Sequence, residues 1–202
     1  SFYMVSRYEE YLPFNHDKYL RLDASESLAF QKGFRVKPIV NIYAKKITKI
    51  FNEHFPKLIF REKSFNYVST IDIDNAWAYK EKGLIRTCGA LLRSLSALDL
   101  NLFLERLTVL IGSKKDPYDT YDQLSDLQHK YNLKMIYFFL VGDYAENDKN
   151  VSISSKKFQS LINSITDYCE AGIHPSYDSN QKPGRLRLEQ SRLEKIIKRD
   201  IT

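Results

Sequence analysis

Residues 65–74 read Phe65-Asn-Tyr-Val-Ser-Thr-Ile-Asp-Ile-Asp74, and this stretch decides the fold. Phe65, Tyr67, Val68, Ile71 and Ile73 are strand formers. The run ends in Asp72, Asp74 and Asn75, so it reads as a buried strand with polar groups at its carboxyl end. Downstream, residues 83–98 and 99–111 read as two helices, with Asp99 as a cap for the second. Residues 117–131 read as a further helix, entered through Asp116 as cap and Pro117 at the first helical position. A second strand spans 134–141 and ends at Gly142-Asp143. A helix capped by Ser154 or Ser155 runs to about Cys169, a third strand spans 170–174, and a helix spans 186–197. Strands alternating with helices predict an α/β fold with parallel strands and helical crossovers. In such folds chemistry gathers where the strands end. Here those ends carry Asp72 and Asp74, then Asp143, then His174. Three strands do not complete a barrel, so further strands are expected beyond Thr202.

Residues 1–64 differ in character. Phe2 to Leu12 reads as a short amphipathic helix ended by Pro13, with Arg7, Glu9 and Glu10 as an ion-paired face. Phe14 to Val36 has little periodicity and reads as an irregular loop. From Pro38, the residues Ile39, Ile42, Tyr43, Ile47, Ile50 and Phe51 follow at helical spacing until Pro56. The expected organisation is a helical and irregular module over 1–64 and an α/β unit over 65–202.

Composition narrows the class. Lys and Arg number 31 against 25 Asp and Glu, a net charge of +6. The basic residues are scattered except at Arg185–Arg199, which reads as the solvated face of a helix rather than a nucleic-acid site. The longest apolar run, Met135 to Val141, is strand length and far short of a membrane span. Ser1 to Glu10 lacks the basic head and cleavage site of a signal peptide. Cys88 and Cys169 lie far apart without metal-type spacing and read as two buried thiols in a reducing compartment. The expected localisation is cytoplasmic; oligomeric state is left open.

Asp72-Ile-Asp74 is the sharpest chemical feature. Residues two apart on a strand share a side, and two adjacent carboxylates need a cation or a shared proton to hold them. A divalent metal meets that need, with one Asp as ligand and the other as base; the plainer reading is a polar strand end. His174 precedes Pro175 in extended backbone, and neutral imidazole is a common metal ligand. Ser176, Tyr177 and Asp178 follow and can supply a second ligand or a hydrogen bond to a sugar. Trp77 and Tyr79 suit either stacking on a sugar ring or core packing. His16, His54 and His129 read as surface or packing residues, and Asp143 as a turn residue.

Thr70-Ile-Asp72-Ile-Asp74 resembles the first motif of polysaccharide deacetylases with the NodB homology domain. Glu170-Ala-Gly172-Ile-His174-Pro-Ser-Tyr177 resembles their second motif, and Met135-Ile-Tyr-Phe-Phe-Leu140 the strand between. The opening Phe2 to Leu12 resembles the module that precedes the catalytic domain in a bacterial branch of that family. The resemblance implies part of a distorted (β/α) barrel and a metal-dependent hydrolase, usually with zinc, that removes acetyl groups from a carbohydrate. It implies Asp72 as general base and Asp74 and His174 as metal ligands; Trp77 and Tyr177, by their positions beside these residues, are the candidate sugar contacts. The family's second histidine, four residues after the first, is replaced by Asp178, which becomes the third candidate ligand. The later family motifs have no counterpart before Thr202, so activity is not expected of this segment alone. Two other classes fit less well. An Asp-x-Asp phosphatase needs Thr or Val where Ala76 stands, and no glycine-rich phosphate cradle appears. A degenerate barrel that only binds glycan or a partner would tolerate the missing histidine.

Overall fold

The computed structural model describes residue 15, residues 21–61 and residues 64–201. The expected helix over Phe2–Leu12, with its Arg7, Glu9 and Glu10, and the position of His16 lie outside the described residues. The chain divides into two compact units, residues 1–65 and 66–202.

In the first unit, the stretch expected to be irregular holds two short helical pieces. Asp23 accepts from the Ser25 amide to start a 3-10 turn, Ala24–Glu26. Ser27 accepts from the Phe30 amide to start α1, Leu28–Gln31. Short polar side chains that bond the backbone locally create such turns without any hydrophobic period. The helix α2, Ile39–His54, begins directly after Pro38. Its apolar stripe buries no residue, and Tyr43, Ile47 and Phe51 are exposed.

The second unit is α/β. Strand β1, Val68–Ile73, is followed by α3, Leu84–Ser96, α4, Leu100–Leu110, and α5, Tyr121–Tyr131. Then come β2, Lys134–Phe139, α6, Lys156–Thr166, β3, Glu170–Ile173, α7, Tyr177–Gln181, and α8, Pro183–Ile197. The strands form a parallel sheet in the order β1-β2-β3. Ile73 lies level with Phe139, and Phe139 with Ile173.

Residues level with one another across a parallel sheet point to the same side. One side carries Ile71, Ile73, Met135, Tyr137, Phe139, Ala171 and Ile173. These pack with Tyr121 and Leu124 of α5, Phe158, Ile162 and Ile165 of α6, and Leu193 and Ile196 of α8. The opposite side carries Val68, Thr70, Asp72, Lys134, Ile136, Phe138 and Gly172. Of these only Gly172 is buried, and the rest are exposed or half-exposed. All the helices that join the core therefore cover a single face. On the other, the Phe138 ring lies over Gly172, where an added Cβ would come within 2.6 Å of it.

The helices form where the sequence places caps. Asp99 accepts from the Leu102 amide and Ser155 from the Phe158 amide. Helices α3 and α4 pack on each other as a hairpin between β1 and α5. Leu84, Ile85 and Leu98 of that hairpin region remain exposed. Among the described residues no helix is long and apolar enough to cross a membrane.

Ile162 is fully buried beneath the sheet, so Ile162→Ala removes packed methyl groups and leaves a cavity. The expected loss is about 2–5 kcal/mol of unfolding free energy. Trp77, the chain's single tryptophan and itself in the core, reports it: the urea midpoint of its emission change falls. An unchanged midpoint would contradict this packing.

Candidate functional site

The carboxyl ends of the three strands form a rim. Asp74 directly follows β1 and His174 directly follows β3. The Leu140 amide bonds the Ile73 carbonyl at 3.2 Å and the His174 amide bonds the Phe139 carbonyl at 3.0 Å, extending the ladder one step past the strands. Asp74 and His174 thus stand on either side of β2. His174 Nε2 lies 3.3 Å from Asp74 Oδ1. His174 Nδ1 is buried and has no hydrogen-bond partner. These two side chains, Leu140, Asp148 and Tyr177 line one cleft.

The structure brings together Asp74, His174 and Tyr177 of the residues singled out from sequence. Asp72 is exposed on the side of the sheet opposite the core and shares a neighbouring cleft with Asp74, lined also by Tyr118 and Tyr121. Asp178 does not join them. It sits in the first turn of α7, where Lys182, four residues on, bonds it at 2.8 Å and Arg185 Nε at 3.2 Å. Among the described residues no three His, Cys, Asp or Glu side chains gather where they could hold a metal. Trp77 is not a sugar platform: it is 9% exposed and packed into the core. Tyr177 is 44% exposed beside His174. Asp143 is more than a turn residue, since Arg185 bonds it at 2.6 Å and Arg192 at 2.8 Å. Arg192 first, with Arg185, holds its carboxyl below the usual range.

Buried polar residues hold the rim in shape. Asp116 is 2% exposed, and it does not cap a helix. The following helix starts only at Tyr121, after Thr120. Its carboxylate instead accepts four backbone amides, from Ala78 at 2.7 Å, Tyr79 at 2.9 Å, Lys80 at 3.2 Å and Tyr118 at 3.1 Å. Burial alone would raise its carboxyl, but the four amides outweigh that and hold it below the usual range. This clamp fixes the loop that follows Asp74. Asp148 accepts the Tyr177 amide at 3.0 Å. Asn150 donates to the Gly142 carbonyl at 2.7 Å. Glu189 of α8 accepts both the amide and the hydroxyl of Ser176, two residues past His174. An added Cβ on Gly142 would lie 2.7 Å from Ser176 Cβ, so this corner admits only glycine without displacement.

Sequence reading missed these anchors because their partners are distant. Glu189 alone left a signal: it stands four residues before Leu193, a carboxylate within the apolar stripe of its helix.

The clamp generates a pH signature. Asp116→Ala leaves four amides without their acceptor, at an expected cost of about 3 kcal/mol or more. Because the folded carboxyl titrates below its unfolded value of about 3.9, its stabilisation is complete above that pH. It is lost as pH falls through the lower folded value. Urea midpoints from pH 7 to pH 2 are expected to fall more steeply in the parent than in Asp116→Asn. Parallel profiles would contradict the clamp.

Residues 1–56 match a family model described only as a family of unknown function, DUF7033. No curated protein and no solved structure matches the chain.

Proposed function

We propose that the rim at Asp74 and His174 belongs to a metal-dependent hydrolase that removes acetyl groups from a carbohydrate, as in polysaccharide deacetylases. One observation carries the reading: a carboxylate and an imidazole, a hundred residues apart in sequence, meet at 3.3 Å at the carboxyl ends of two parallel strands. The one-sided helix cover supports a further reading of the sheet as part of a (β/α) barrel wall. Such a wall has helices outside and side chains filling the inside, whereas a doubly wound sheet carries helices on both faces.

The donor set suits a divalent metal, zinc by its mix of carboxylate oxygen and imidazole nitrogen. Asp74 and His174 would hold it. When bound, it supplies Lewis-acid activation of a water and of the acetamide carbonyl. The chain's own residues do the rest. Asp72, two residues before Asp74, is the candidate base that takes the proton from the attacking water. Tyr177, exposed in the cleft with His174, offers a ring face to a sugar. The Asp116 clamp and the Glu189–Ser176 pair hold both ligand-bearing segments in place, which conserves the geometry the reaction needs. Cys169 is a buried thiol as expected, whereas Cys88 is exposed; a reducing, cytoplasmic setting remains part of the proposal.

A specific observation favours a second reading. Asp178, in the place of the second histidine, is tied to Lys182 and Arg185. A rim with two donors fits a degenerate barrel that binds glycan without hydrolysing it.

Equilibrium dialysis against zinc and assay of acetate release from an N-acetylated oligosaccharide separate the two. For the hydrolase, Asp74→Ala and His174→Ala are each expected to weaken zinc binding at least tenfold, in line with loss of a ligand. Asp72→Asn is expected to keep the metal and lose acetate release in the active parent protein. Unaltered acetate release by that variant removes Asp72 from its role. Absence of zinc binding in the parent favours the glycan-binding reading.

A further inference from the structure

A third pocket adjoins the rim through Asn75, which also lines both clefts described above. It lies between the loop after β1 and the α3–α4 hairpin, and its volume is about 220 Å³. That is below the roughly 300–1,000 Å³ of a site for a drug-sized ligand, so it suits one small group. Lys82, Arg86, Arg106 and Lys149 line it together with Thr87, and no Asp or Glu does.

Four cations around one small volume repel one another, and no carboxylate of the lining neutralises them; Asp116, outside the lining, favours the Lys82 charge but is outweighed by burial and Arg86. None of the four forms an ion pair there. Lys82 Nζ donates only to the neutral Asn75 Oδ1. Arg86 donates to the carbonyls of Lys149 at 3.1 Å and Asn150 at 3.2 Å and lies over the Tyr144 ring. Arg106 lies over the Tyr79 ring, and its Nε is buried without a hydrogen-bond partner. Glu105 is occupied by the Tyr79 hydroxyl and Asp116 by its amides. Burial, with Arg86 beside it, pulls the Lys82 ammonium down to about 8. An orphaned guanidinium donor and an ammonium under like-charge pressure are both relieved by an incoming oxyanion. Arginine's planar fork matches phosphate and sulfate oxygens, and the excess of cations favours a dianion over a single carboxylate.

We propose that this pocket binds an oxyanion of the phosphate class carried on a carbohydrate ligand. That the oxyanion is carried on a carbohydrate, and that this carbohydrate is the substrate of the Asp74–His174 rim, rests on the deacetylase reading; oxyanion binding itself does not.

Isothermal titration calorimetry of the full chain tests this, with EDTA present so that no metal carries the anion. The probes are inorganic phosphate, N-acetylglucosamine 6-phosphate and glucuronate. The expected result is one-to-one binding of phosphate that weakens as salt rises, tighter binding of the sugar phosphate, and weaker binding of glucuronate. Arg106→Gln and Lys82→Met, each checked for a native Trp77 emission, are expected to weaken both phosphates at least tenfold. Asp74→Ala is expected to leave phosphate binding unchanged, and a parent protein that binds phosphate but releases no acetate when zinc is supplied would count against the hydrolase alone. No phosphate binding by the parent, or undiminished binding by both pocket variants, overturns the site. Equal affinity for inorganic and sugar phosphate overturns the carbohydrate carrier, and glucuronate binding as tightly as the sugar phosphate overturns the phosphate class.

Discussion

The rim depends on a buried carboxylate that accepts four backbone amides. Asp116 joins the turn before α5 to the loop after β1, and three of its four donors are successive residues of that loop. A backbone run with its amides turned inward would be unstable beside the core without an acceptor, and an unpartnered buried carboxylate would be equally costly. Each half makes the other tenable. The loop so fixed begins next to Asp74, passes Trp77 into the core, and delivers Tyr79 and Lys82 to the basic pocket. One ion-dipole arrangement thereby sets the positions of a candidate metal ligand and of a candidate anion site.

The remaining anchors extend the same principle. Asp148, Asn150, Ser176 and Glu189 are buried polar residues at the carboxyl ends of the strands. Each is spent on backbone or on another anchor rather than on solvent. The apolar side of the sheet supplies cohesion through Ile162, Phe139 and Leu193, and the polar anchors specify how the loops leave it. Rigid loops over a packed sheet are what a site needs if its side chains are to be held in place before a ligand arrives.

The elements were legible in the sequence because each carries its own local signal. Strand-forming residues with a polar end marked β1, a short continuous apolar run marked β2, helical spacing marked α2, and Asp99 and Ser155 act as the caps their positions suggest. Asp116 shows where that logic ends. An Asp before a Pro at the mouth of a helix reads as a cap, yet three of its four partners lie 36–38 residues away and no local pattern announces them. The ion pairs of Asp178 escaped notice for a different reason: α7 places Lys182 one turn along and Arg185 beside it, a pairing that the spacing from His174 does not announce. Trp77 is apolar enough for either a cleft or a core, and only the fold decides. The meeting of Asp74 with His174 was legible, because parallel strands with helical crossovers bring their carboxyl ends to one edge. The basic pocket was not, since Arg86 and Arg106 occupy two amphipathic helices where arginine ordinarily faces water.

The Phe138 ring lying over Gly172 ties two strands together in a way that reaches beyond stability. A side chain at 172 would occupy the space the ring now fills, and a smaller residue at 138 would leave bare the backbone that the ring shields. Neither position is free to drift by itself. Related chains that carry a bulkier residue at one place should carry a slighter one at the other, so the pair forms a covarying signature by which this sheet can be traced through divergent sequences.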